Sequence, residues 1–330
     1  MDMTGGSRMN RNLRLICVGL VLCMLMMAGC AQQNDGAGQS SAQATDAYAV
    51  IEDDMGRTVT LAQKPQRVVV LSTSLLHFAD AVGGDLAGRS TAVAEDVELP
   101  KRYESVPDVG PVYNVSAEKI IGLQPDLVVA SEVQHQKLVP LLEQNGIPVI
   151  ALRSKTYEDV KRNLEIFGQI YGKADVAKAK EKEMDEAIQA IVQKIPPDHK
   201  KAAIIHATPS SVTVQLDGSI AGSVARMLHI DNIAAGTQSD GHKEKIPYSM
   251  EALVQSDPDI IFFTSMGPAD KIEERIRQDV ASNPSWTALR AVQQGRVYVL
   301  SERYFLLNPG LAYPDAVAYM AKLAYPEAFP

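Results

Sequence analysis

The chain is short of several things at once, and each shortage excludes a class of protein. It has three cysteines, Cys17, Cys23 and Cys30, all near the N-terminus. The body from residue 31 onward therefore has no thiol for a disulfide, a thiolate metal site or a cysteine nucleophile. Tryptophan occurs once, at Trp286. The six histidines, His77, His135, His199, His206, His229 and His242, are scattered, with no His-rich loop and no HxxxH pair, which argues against a bare-metal site. Basic residues are outnumbered 32 to 40 by acidic ones, so no basic stripe supports nucleic-acid binding. There is also no G-x-S-x-G elbow, no P-loop and no G-x-G-x-x-G after a strand. An enzyme acting on a bound ligand is thus the lesser alternative to a binding protein. With 330 residues and 46% hydrophobic side chains, the chain has room for two lobes with buried cores.

The N-terminus reads as an export signal. Arg8, Arg11 and Arg14 precede an apolar run from Leu15 to Ala28, which is shorter than the roughly 20 residues that cross a bilayer. The run ends in Met27-Ala28-Gly29-Cys30, which resembles the lipobox of bacterial lipoproteins. That resemblance implies cleavage of residues 1–29 and acylation of Cys30, with an uncleaved membrane anchor as the alternative. Losing residues 1–29 moves the formal charge from −8 to −10. Residues 30–46 are rich in Gln, Ser, Gly and Ala and read as a tether from the lipid to the body.

From Tyr48 onward, short apolar runs alternate with amphipathic stretches. The expected strands are Arg67–Leu71, Leu127–Ala130, Pro148–Ala151, Ala202–His206, Ile260–Thr264 and Val297–Leu300. Continuous runs such as Val68-Val69-Val70-Leu71 fit parallel strands covered by helices on both faces. One repeat bears on the architecture. Glu118, Pro125 and Asp126 recur at Glu251, Pro258 and Asp259 with a common offset of 133, each set spanning helix, Pro-Asp turn and apolar strand. Residues 157–195 carry no strand signal and read as one long linking helix, with Gly168 and Gly172 as breakers near its start and Pro196-Pro197 as its stop. The expected fold is α/β, two Rossmann-like lobes with mostly parallel sheets joined by that helix. The lobes are placed at 47–156 and 196–330.

In this order, and behind a lipobox, the chain resembles the substrate-binding lipoproteins of ABC importers for iron–siderophores, haem and cobalamin. The residues that carry the resemblance are Arg67 to Leu71, Pro107-Asp108-Val109-Gly110, the two Pro-Asp strands, the linking helix, Pro284-Ser285-Trp286 and Gly295-Arg296-Val297-Tyr298. The family implies an exported, lipid-anchored monomer without an intrinsic cofactor, partnered by permease and ATPase subunits. Its ligand, haem or a ferric siderophore with cobalamin as the alternative, would lie between the lobes at the strand ends. Glu118 and Glu251 match the family's permease-docking glutamates, though each also reads as an exposed helix-start carboxylate.

The strand ends nominate the cleft residues. The first lobe offers Ser72, Thr73, Ser74 and His77, then Tyr113, then Ser131, Glu132 and Gln134. The second offers Thr208 to Ser211, Ser265, Met266, and Ser301, Arg303, Tyr304 and Phe305. The segment Arg102 to Gly110 is similar to one in haem-receptor lipoproteins, where an axial Met follows the glycine by three residues. Tyr113 stands at that place, either as a phenolate ligand to ferric haem or as an aromatic wall. Near the family's axial His stands Met266, a soft sixth ligand or a cleft wall. Arg303 suits a carboxylate or propionate, or is a surface residue. His77 reads as a cleft residue or a packed one, and His206 as a satisfied imidazole ending a strand.

Overall fold

The computed structural model describes residues 47–91, 99–208, 211–235, 244–265, 274, 278, 284–306 and 309–329. Cys30 and Met266 lie outside these residues. The chain enters through a hairpin of β1 (Ala49–Glu52) and β2 (Thr58–Leu61), paired antiparallel. Its turn is held by Asp53, whose carboxylate accepts from the Met55, Arg57 and Ala151 N–H groups and pairs with the Arg57 guanidinium. Burial works against the charge of Asp53, but these bonds hold its carboxyl below the usual carboxylate range. Arg57 continues to Glu143 and the Val149 carbonyl, so the hairpin is clipped to the first sheet.

That sheet contains β3 (Val68–Val70), β4 (Gly88–Thr91), β5 (Asp108–Pro111), β6 (Leu127–Ser131) and β7 (Val149–Leu152). All are parallel, in the order β5-β4-β3-β6-β7. The crossovers carry α1 (Thr73–Ala81), α2 (Ala117–Gly122), α3 (Glu132–His135) and α4 (Val139–Gln144). Strands β4 and β5 were not expected from the sequence, because neither is an apolar run. They are joined instead by polar pairs: Asp108 accepts from Thr91 at 2.7 Å and meets Arg89 at 3.0 Å.

A long helix does carry the chain toward the second sheet, but it is shorter than residues 157–195. Residues 157–171 form a separate helix, α5 (Tyr157–Tyr171), and the long helix is the 19-residue α6 (Ala174–Val192). Helix α5 starts in a capping box between Thr156 and Asp159. It stops at Gly172, which is left-handed at φ 63° and ψ 40°, with the Lys173 N–H closing on the Gly168 carbonyl at 2.7 Å. A Cβ on Gly168 would lie 2.8 Å from the Ala177 Cβ, so the glycine lets the two helices touch.

The second sheet contains β8 (Lys200–Ala207), β9 (Val212–Gln215), β10 (Ile230–Asn232), β11 (Lys245–Pro247), β12 (Ile260–Ser265) and β13 (Val297–Val299). Its order is β11-β9-β8-β12-β13, with β10 beside the first half of β8. Strands β8, β10, β12 and β13 are parallel, while β9 and β11 run antiparallel to their neighbours. Around them lie α7 (Ile220–Met227), α8 (Met250–Ser256), α9 (Pro284–Thr287), α10 (Arg290–Gln293), α11 (Glu302–Phe305) and α12 (Tyr313–Ala324). The two sheets share no strand pair among the described residues. The architecture is the expected α/β pair of lobes with mostly parallel sheets.

The lobes nevertheless share one core. Val68, Val70, Leu127 and Val129 face a layer built from α1, α5, α6 and α12, and Ala202, Ile204, Ile260 and Phe262 face it from the second sheet. Alternate residues point the other way into separate outer clusters, Val69, Val128 and Val149 in one lobe and Ala203, Ile205 and Ile261 in the other. Opening the lobes widely would expose this shared apolar layer, at about 25 cal/mol per Å².

The sequence repeat is also a repeat of geometry. Ser116 and Ser249, 133 residues apart, cap α2 and α8 through their hydroxyls. Gln124 and Asp257, again 133 apart, are both left-handed, at φ 47° and 41°, and turn the chain out of the helix. Asp126 and Asp259 then accept the N–H groups that open the neighbouring strands, Arg67 at 2.8 Å and Lys201 at 2.9 Å.

Candidate functional site

In a parallel sheet the crossovers leave room for a ligand where neighbouring strands depart in opposite directions. Those points are the carboxyl ends of β3 and β6 in one lobe and of β8 and β12 in the other. After β3, Ser72 takes an extended N-cap conformation, yet its hydroxyl does not cap α1 and lies 2.9 Å from the Ser74 hydroxyl. Ser74 and His77 both lie in α1 and are half-buried.

The end of β6 is organised by His135, which sequence reasoning passed over. Its Nδ1 accepts the Ser131 N–H at 3.0 Å and its Nε2 donates to the Val112 carbonyl at 2.9 Å. A backbone donor on one nitrogen and a backbone acceptor on the other fix the Nε2–H tautomer. Burial lowers the pKa of this imidazole and keeps it neutral. The clip anchors the loop that presents Tyr113. That side chain is 66% exposed, and Val133, on the same short helix as His135, is 60% exposed.

After β7, Asp159 holds the turn by accepting the Lys155 and Thr156 N–H groups and pairing with Arg153. Two ion pairs reach the second lobe nearby, Lys155 of the first lobe to Glu244 at 3.7 Å and Glu158 of α5 to Arg226 at 3.4 Å.

In the second lobe His206 and Thr264 meet at the ends of β8 and β12. The Thr264 hydroxyl lies 3.0 Å from His206 Nδ1 and accepts from Gln215 Nε2 at 2.9 Å. The ring, the hydroxyl and the amide thus form one hydrogen-bonded group at the strand ends. Burial first, and then the charges of Lys245 and Lys155, lower the His206 pKa. The Ser265 hydroxyl donates to the Ala207 carbonyl at 2.8 Å. Arg303 is exposed on α11, its guanidinium 5.5 Å from the Tyr304 ring centre. Tyr304 packs against Phe305 and Tyr319 and onto the shared core, so its ring belongs largely to the fold.

Glu118 and Glu251 occupy the exposed first turns of α2 and α8. Each helix returns toward the start of the next strand, so its N-terminus lies at the strand-end side of its lobe. Each carboxylate therefore lies at the strand-end side of its own lobe. Among the described residues no three His, Cys, Asp or Glu side chains gather as a metal site. No helix among them is long and apolar enough to cross a membrane.

Of the residues named from the sequence, Ser74 and His77 lie in the helix after β3 and Tyr113 in the loop after β5, while His135, Lys155, Gln215, Lys245 and Thr264 were not singled out. The alternation Thr213, Val214, Gln215 was the available signal for a strand with one polar face. The basic residues stood in loops and at an edge, where composition gives no cue.

The chain is 26% identical over 323 residues to the Bacillus subtilis ABC transporter substrate-binding lipoprotein YvrC, covering 95% of this chain and 98% of that one. It is 28% identical over 287 residues to the Fe(3+)-citrate-binding protein YfmC of the same species, covering 84% and 86%. The structure of Staphylococcus aureus IsdE complexed with heme superposes with a TM-score of 0.67 at 21% identity, covering 78% of this chain and 98% of that one. Residues 68–304 match the family model of the periplasmic binding proteins, from the first parallel strand to the helix after the last, and the chain belongs to that family.

Proposed function

We propose that the protein is the solute-binding component of an ABC importer and captures an iron chelate, haem or a ferric siderophore, between its lobes. The observation that supports this reading is that both sheets pack on one core and each carries polar side chains at or just past its strand ends. One offers Ser74, His77 and Tyr113 and the other His206, with Arg303 on the following helix. Two surfaces of this kind can enclose a ligand larger than a bare ion. The names of YfmC and IsdE, an Fe(3+)-citrate-binding protein and a heme complex, favour iron in chelated form. The mature protein is held at the outer face of a membrane by lipid on Cys30, and residues 30–46 form its leash. It acts as a monomer. Glu118 and Glu251 dock onto basic residues of the permease, whose ATPase subunits then drive release.

The test is a titration of the purified protein, followed by Trp286 fluorescence and by absorbance, with hemin, ferric citrate, ferrichrome and cyanocobalamin. Saturable binding of at least one iron chelate is expected. Binding of cyanocobalamin alone would move the assignment to vitamin import, and catalytic turnover of a bound chelate would make the protein an enzyme.

A further inference from the structure

The face of the second sheet that looks onto the shared core is apolar until its last residues. Ala202, Ile204, Ile260 and Phe262 lie on it, fully buried. The strand register then places His206 of β8 between Thr264 of β12 and Thr213 of β9. Gln215 follows on the same face of β9, and Lys245 of β11 lies opposite Gln215. Five polar side chains thus share one face of four adjacent strands, with Thr264, His206 and Thr213 at the strand ends and Gln215 and Lys245 one step back, level with Ile204. The Oγ1 of Thr213 and the Oε1 of Gln215 are buried without a hydrogen-bond partner, a costly arrangement in a packed face.

Basic groups gather at this face. Thr264 and Gln215 hold the His206 ring in place through this hydrogen-bonded group, and the ring also bonds the Thr264 backbone. Lys245 is exposed at the sheet edge. Lys155 enters from the first lobe, and its backbone position is set by the Asp159 turn and by the Tyr313 hydroxyl on its carbonyl at 3.4 Å. Its ammonium meets Glu244, the neighbour of Lys245, at 3.7 Å, a loose contact that a better-placed carboxylate can replace. An imidazole held in place and two ammonium groups suit an anionic oxygen. A neutral hydroxamate chelate would leave them unmatched.

We infer that His206, Lys155 and Lys245 form a carboxylate-binding corner of the cleft, with Thr264 and Gln215 as positioning residues, and that the cargo is a ferric hydroxycarboxylate chelate. This rests on the reading of the protein as an iron-chelate carrier and narrows it to one ligand class.

The test uses ferric citrate as the probe, with ferrichrome as a neutral hydroxamate and hemin as a third chelate. The purified protein binds ferric citrate, and its affinity falls as salt is raised. Lys245→Gln, a change at an exposed side chain that leaves the fold intact, weakens ferric citrate binding about tenfold and flattens the salt dependence. Thr264→Val, which removes the hydroxyl that holds His206, weakens it without changing the salt slope. Unchanged ferric citrate affinity in both Lys245→Gln and His206→Gln overturns the inference. Binding of ferrichrome or hemin but not of ferric citrate overturns it while leaving the iron-chelate reading intact. Binding of no iron chelate overturns both.

Discussion

His135 ties Val112 to Ser131 across the end of the first sheet, with one ring nitrogen 2.9 Å from the Val112 carbonyl and the other 3.0 Å from the Ser131 nitrogen. The arrangement works only for a neutral ring, because a protonated Nδ1 would confront the Ser131 N–H. Burial depresses the folded-state pKa below the unfolded value of about 6.5. Below that value the unfolded chain takes up protons that the folded chain resists, so stability is fully present above it and falls with acidification. His206 is depressed in the same direction and adds to the trend. Denaturant midpoints measured between pH 5 and 8 should therefore fall below about pH 6.5. In His135→Ala the protein should be less stable at pH 7.5 by about 1–3 kcal/mol, with a shallower acid slope. An unaltered slope would show that the ring titrates freely.

What the sequence disclosed and what it hid follow from the same physics. Strands such as β3, β6 and β12 are covered on both faces, so they are written as unbroken apolar runs. Strands β4 and β9 are not, and Arg89, Thr91, Thr213 and Gln215 break the run because their pairing and face are partly polar. The Pro-Asp repeat was legible because turn chemistry is local: a left-handed residue, a proline and a carboxylate that accepts strand N–H groups. The break at Gly172 was flagged by composition, but only tertiary packing of α5 against α6 decided that the chain turns there. Tyr113 could be placed by its distance from Gly110. The polar face at His206 could not, since it needs the register of four strands.

Gly172 offers a direct test of that break. Its left-handed conformation costs a residue with a Cβ about 1–2 kcal/mol, and the added atom would stand 3.1 Å from the Tyr48 hydroxyl. That hydroxyl already caps the helix by donating to the Gln169 carbonyl at 2.9 Å. Gly172→Ala should lower the urea midpoint with an unchanged m-value and leave ligand affinity within twofold, because the turn is remote from the strand ends. A stabilised variant would mean that the two helices can merge into one.

Glu118 and Glu251 are equivalent by repeat and by cap geometry, exposed, and each at the strand-end side of its own lobe. Lys at both positions reverses the charge presented to a basic permease surface without touching the core. Chelate affinity should stay within twofold, while stimulation of the importer's ATPase in reconstituted vesicles should fall at least tenfold, and a single reversal should give an intermediate loss. Full stimulation by the double variant would remove both residues from the docking surface. The helix-dipole contribution of each carboxylate, about 0.3–1 kcal/mol, should appear as a small stability loss and serves as the internal control.

Tyr113 is the most exposed large side chain of the first lobe's strand ends, and nothing among the described residues accepts or donates to its hydroxyl through a hydrogen bond. An aromatic ring left in water beside a cleft gains most when a ligand covers it. Covering a ring of this size supplies about 1.5–3 kcal/mol, independent of its hydroxyl. Tyr113→Ala should therefore weaken chelate binding by about tenfold or more. Tyr113→Phe keeps the ring and removes only the oxygen, so with ferric citrate it should retain affinity within about twofold. Hemin separates the two roles of the residue. If the ring is a wall, Tyr113→Phe keeps the Soret and charge-transfer bands of the wild-type complex. If the oxygen ligates ferric iron, those bands shift and hemin affinity drops together with them. His135→Ala should then mimic part of the Tyr113→Ala loss, because freeing the Val112 carbonyl releases the loop that holds the ring in place. Equal affinity in Tyr113→Ala and wild type for every chelate tested would put the ring outside the binding surface.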